Sequence, residues 1–384
     1  LPDDIKEIAC DVLAHRMILK NATLHIGNGE VFQGDMRIAD GKIVEVGKNI
    51  NGDESRSLNG KHVFPGFIDS GNFLGAQDMA FFAKDYNENS NPVTPYLDIW
   101  YSIDPDELSL QELYKAGITS MLVTPGNEGI LGGTCTVVKT KGKNINKITV
   151  KRDAAMKASM TSEVIRVFSG KGSPQTPMAL IAMLKTALQT TEYANDYRSQ
   201  RTKEVMDAVR EGRMPILVAC ETAPEMERFL EATKEYTKMK IIFTLSYEAD
   251  RCADAIKKRG AAVVLGDTSR NATHLVHRMD FAKLMNMAED GTKVGLTVLG
   301  PNMAWGREML LWNASKLMQT CTNSEEIVSM LTVNPAEFFG VSDRIGQLKA
   351  GLDADYLIYE GNPIEKCNAV LLETVINGET VYQA

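Results

Sequence analysis

Between residues 63 and 331, short apolar runs alternate with longer segments of helical period. Strands read at 63–68 (VFPGFI), 118–124 (ITSMLVT), 134–139 (TCTVVK), 215–220 (PILVAC), 240–246 (KIIFTLS), 261–266 (AAVVLG) and 293–299 (KVGLTVL). Helical patterns read at 107–116, 178–191, 200–211, 224–236, 249–259, 278–289, 304–319 and 324–331. Strands that are apolar on both faces belong in a parallel sheet covered by helices. Seven of them over roughly 240 residues fit an eight-stranded (β/α)8 TIM-like barrel better than an open sheet. The remaining strand is expected within 160–177, where Ile165–Phe168 is a short apolar run. Chemistry on such a barrel sits at the C-terminal ends of its strands.

The chain on either side has a different texture. Residues 16–62 carry short β-type runs separated by Asn28-Gly29, Asp40-Gly41 and Asn51-Gly52. Residues 355–382 repeat that texture around Asn377-Gly378. Such pairs tolerate positive φ at two-residue hairpin turns. The expected organisation is a small β-sandwich built from 16–62 plus 345–384, a barrel over 63–344, and an N-terminal helical extension over 1–15.

Composition narrows the partners. Lys and Arg total 42 against 50 Asp and Glu, a net charge of -8, which argues against a nucleic-acid backbone as partner. No stretch approaches 18 apolar residues, so no membrane span is expected. Six cysteines form no CxxC, and the leading LPDDIKEIACDVL has acids where a secretory signal has bases. These features read as reduced thiols in a cytoplasmic protein. Copies of itself are the expected protein partners.

The run DGKIVEVG, then HVFPGFIDS at 62–70, LTVNPAEFFGVSDRIGQLKAGLDADYLIYEGNPI at 331–364 and VINGETVY at 375–382 resemble the metal-dependent amidohydrolase superfamily. The likeness is nearest to its imidazolonepropionase-like and dihydroorotase-like branches. It implies a (β/α)8 barrel flanked by a sandwich made from both chain ends. It also implies a zinc or other divalent-metal site, and the ligand positions differ here. The family's His-x-His after the first strand is Gly71-Asn72-Phe73. The fifth-strand histidine position holds Ala219 or Cys220, the sixth reads Thr244 to Glu248, and the eighth-strand aspartate position reads Val298-Leu299-Gly300-Pro301. Some branches carry a carboxylated lysine, for which Lys139 and Lys157 are the candidates.

The five histidines, His15, His25, His62, His274 and His277, fall at none of these positions. Gly71, Phe73, Ala219 and Leu299 offer a metal no side-chain electron pair. No cofactor is therefore expected. His274 and His277 read as surface groups rather than ligands. Candidates for lining a polar mouth are Asp69, Asn72, Gln77, Asp78, Cys220, Glu221, Tyr247, Glu248 and Asp267. Cys220 reads as an inert buried thiol without a base beside it. The expectation is an amidohydrolase-fold protein that has lost metal-dependent hydrolysis and binds a small polar ligand or serves a non-catalytic role. Two alternatives remain open. One is an active hydrolase cutting a non-peptide, cyclic-amide-type C–N bond with a relocated or absent metal. The other is a structural protein whose pocket Phe73 and Leu299 close.

Overall fold

A computed structural model describes residues 16–77, 84–266, 279–300 and 307–384. Five strands come first: β1 Arg16–His25, β2 Val31–Ala39, β3 Lys42–Gly47, β4 Ser55–Ser57 and β5 His62–Pro65. Eight follow: β6 Phe67–Asn72, β7 Ile118–Val123, β8 Leu131–Lys139, β9 Thr149–Ser159, β10 Ile216–Cys220, β11 Ile241–Leu245, β12 Ala262–Leu265 and β13 Val294–Leu296. The last three are β14 Tyr356–Tyr359, β15 Leu371–Ile376 and β16 Glu379–Gln383.

The middle eight form one sheet in chain order from β6 to β13, and β6 lies against β13, so the sheet nearly closes. The first and last groups interleave in a second sheet, β16-β15-β14-β5-β1-β2-β3, with β4 on β1. The fold is the expected α/β barrel with a separate sheet drawn from both chain ends. Among the described residues, no helix is long and apolar enough to cross a membrane.

Several local expectations change. The apolar run 63–68 is two strands, because the chain crosses between sheets at Gly66. A Cβ there would sit 1.9 Å from Thr119 Oγ1, so only glycine passes. The missing barrel strand is β9, and Ile165–Phe168 belongs to a helix, Ser162–Phe168. That run is one helical face, with Val164 and Phe168 buried at i and i+4. The barrel is also not wholly parallel, since β8 runs antiparallel to both β7 and β9. A short loop from Thr124 to Ile130 joins β7 to β8, which only an antiparallel pair permits.

Asp40-Gly41 and Asn377-Gly378 are hairpin turns with positive φ at both central residues. The two turns touch, a Cβ on Gly41 falling 2.9 Å from Asn377 O. Asn51-Gly52 makes no hairpin, because β4 pairs in parallel with β1. The N-terminal extension 1–15 lies outside the described residues.

The barrel's interior floor is apolar. Ile68, Leu122, Leu217, Ile242 and Val264 meet Phe339 and Ile345, which follow the helix Val333–Phe338. The opposite, C-terminal end is where polar side chains gather.

Candidate active site at the strand ends

Asp69 and Asn72 stand on β6. Asp69 accepts from Thr297 Oγ1 at 2.7 Å, from Val298 N at 2.9 Å and from Gly71 N at 3.0 Å. It therefore stitches the first barrel strand to the segment after the last. Burial raises its pKa, and those donors pull the other way. Asn72 accepts from Leu74 N at 2.8 Å and is likewise buried. Between them Gly71 has φ +134, and Phe73 stacks on Tyr86 with ring centroids 3.9 Å apart.

At the end of β10 the buried Cys220 thiol is pushed well up by desolvation. Glu221 is half-buried, and burial first, then Glu225 and Glu163, raises it to about 7. Glu225 folds back over this corner. Its Oε2 accepts from Thr222 N at 2.7 Å, Glu221 N at 2.8 Å and Thr222 Oγ1 at 2.9 Å. This is the capping box of the helix Ala223–Ala232. Glu248, beyond β11, accepts from Ala223 N at 3.0 Å and pairs with Arg251 at 3.4 Å. Tyr247 is also buried. The structure thus gathers Cys220, Glu221 and Glu248 around one helix start, and places Asp69 and Asn72 on the first strand. Tyr247 and Glu248 are both fully buried. Gln77 is buried with its Oε1 unpaired among the described residues. Asp78, Asp267, His274 and His277 lie outside the described residues.

The candidate lysines separate cleanly. Lys139 lies fully buried against Asp353 at 2.7 Å, Asp355 at 2.9 Å and Asn377 Oδ1 at 2.5 Å, joining the two sheets. Lys157 lies on β9 inside the barrel. The sequence offers Lys157 as a candidate but not its strand, because β9 is not recognisable there. The two histidines among the described residues, His25 and His62, are also remote from the strand ends. His25 Nδ1 meets Glu325 at 2.5 Å and its Nε2 meets His62 Nδ1 at 2.8 Å, both histidines in the second sheet and Glu325 on the helix Ser324–Leu331, which packs on β13 and β6. Among the described residues, no three His, Cys, Asp or Glu side chains are grouped to hold a metal ion.

This barrel and companion sheet are the architecture of the amidohydrolases. A solved amidohydrolase from Thermotoga maritima MSB8 superposes with a TM-score of 0.86 at 23% identity, covering 96% of this chain and 100% of that one. A β-aspartyl dipeptidase from Fervidobacterium islandicum AW-1 gives 0.59 at 15%, covering 96% and 97%. Residues 300–382 match the family model described as Amidohydrolase family. The curated protein "Amidohydrolase tasK" of Hapsidospora irregularis is 19% identical over 86% of this chain, which spans 38% of that relative's length. The chain thus shares the fold of solved amidohydrolases, and its residues 300–382 are similar to one amidohydrolase family model.

Proposed function

We propose that this amidohydrolase-fold chain no longer performs metal-dependent hydrolysis, and that its barrel mouth binds a small polar ligand. The observation that carries the reading is the donor set at the strand ends. A hydrolytic metal needs three or more N, O or S ligands and makes its nucleophile by acidifying bound water. Gly71, Phe73, Ala219 and Leu299 supply no such atom. Asp69 spends its oxygens on Thr297, Gly71 and Val298, and Glu248 spends Oε2 on Ala223 N. The described residues do not fit the family's metal, and no step is routed through one. Elemental analysis of protein incubated with zinc, manganese and nickel tests this. Metal far below one equivalent is expected, and a stoichiometric ion bound at the mouth overturns the reading.

One observation favours a second reading, a hydrolase of a non-peptide, cyclic-amide-type C–N bond working without the family's metal set. Glu221, raised to about 7 at a strand end, is poised to exchange a proton near neutral pH. Turnover of cyclic amides that follows a group of pKa near 7 and vanishes in Glu221→Gln would establish it. No turnover in the parent protein would remove it.

A further inference from the structure

Two lysines lie fully buried in this barrel, and their surroundings are opposite. Lys139 has two carboxylates against its ammonium. Lys157 has none among the described residues. Its Nζ donates to Asn127 Oδ1 at 2.5 Å and to Gly126 O at 3.1 Å, both neutral acceptors. An ammonium has three donors, so one is left over among the described residues. Burial pulls the amine down to about 8, which still leaves it mostly charged at pH 7.

Lys157 pairs in register with Leu217, and register partners point to the same face of a sheet. Leu217 packs with Ile68, Leu122 and Ile242 on the barrel floor. Two residues beyond those three stand Ser70, Thr124 and Thr244, on the same face and nearer the mouth. All three are fully buried, and none of their hydroxyls has a hydrogen-bond partner among the described residues. Thr124 does reach the interior. A Cβ on Gly71 would lie 3.1 Å from Leu217 Cδ2 and 3.3 Å from Thr124 Cγ2. The loop that holds Lys157 Nζ, Gly126-Asn127, follows Thr124 after the single residue Pro125.

Leaving a buried hydroxyl unpaired is costly, and an uncompensated buried charge costs more. One ligand resolves both if it is negative and accepts hydrogen bonds. Charge balance sets its size: one cation matches a monoanion, whereas a doubly charged phosphate would bury surplus negative charge.

We propose that the mouth side of the barrel interior binds a small carboxylate, with Lys157 Nζ as its cationic anchor and the Thr124 and Thr244 hydroxyls as donors. This rests on the ligand-binding reading above and names its ligand class. The test is calorimetric titration of the full chain with acetate, propionate and butyrate, beside acetamide and inorganic phosphate. At least one carboxylate is expected to bind, and acetamide and phosphate are not. Lys157→Met is expected to weaken that binding by about 30-fold or more, and Thr124→Val more modestly.

Failure of every carboxylate to bind the parent protein overturns the proposal, as does equal binding by Lys157→Met. So does a carboxyl-group mass gain on Lys157 in bicarbonate buffer, because the side chain would then be an anion. If Lys157→Met does not fold, unchanged affinity in both Thr124→Val and Thr244→Val overturns it. Metal content measured on the same samples separates the two claims. A bound stoichiometric metal defeats the metal-free reading, whereas metal-free protein that binds no carboxylate defeats this inference alone.

Discussion

Gly71 shows why the family's metal site is not one substitution away. At φ +134 an L side chain is strained, and a Cβ there would press on Leu217 Cδ2 at 3.1 Å. Restoring the pair with Gly71→His and Phe73→His is expected to cost about 1–3 kcal/mol from the backbone alone. The loss of the Phe73–Tyr86 stack adds to it. The double variant should melt lower and still bind no stoichiometric zinc, read by thermal unfolding and elemental analysis. Glu221 gives a second residue-scale outcome. Its folded pKa of about 7 exceeds the ordinary 4.5, so the folded state holds more protons between those values. Stability from this group therefore falls as pH rises through that window. Glu221→Gln should flatten the slope and gain most above pH 7, measured by denaturant unfolding across pH.

At the scale of elements, the helix Ala223–Ala232 is held to the end of β10 by a single carboxylate oxygen with three donors. Glu225→Ala should cost about 1–2 kcal/mol through the lost cap. It should also lower the Glu221 pKa, since Glu225 is the second-largest cause of its elevation. Carboxyl NMR titration reads that shift. This corner also marks the limit of what the sequence discloses. Seven of eight barrel strands are legible because both faces are apolar. β9 is not, because Thr149–Ser159 (TVKRDAAMKAS) begins half-exposed and polar and ends in small residues with a buried lysine. With β9 unseen, Lys157 had no face, and the unpaired hydroxyls around it looked like ordinary strand threonines. Asp69 and Glu248 were legible as strand-end acids, but their consumption by Thr297 and by the Ala223 amide depends on partners distant in sequence.

At the scale of the whole molecule, the two sheets are joined by the cluster at Lys139. Asp353 takes Lys139 at 2.7 Å, Lys42 at 2.5 Å and Arg344 at 2.8 Å, linking the barrel strand β8, β3's start and the segment before β14. Desolvation opposes its charge, but these cations prevail and hold its pKa at about 2, below the ordinary 3.8. A carboxyl depressed in the folded state contributes stability that is complete above its unfolded value. That contribution is lost as pH falls from 3.8 through about 2. Asp353→Asn keeps the shape but strips most of the countercharge from buried Lys139, leaving Asp355 alone. Removing one partner of a buried pair typically costs about 3–5 kcal/mol. The variant should therefore unfold at lower denaturant at pH 7 and show a weaker acid dependence below pH 4. Because Thr374 Oγ1 on β15 also donates to Tyr114 O, just ahead of β7, at 2.9 Å outside that cluster, barrel and companion sheet should still melt in one step. Two separated transitions in calorimetry would mean that the Lys139 cluster alone couples them.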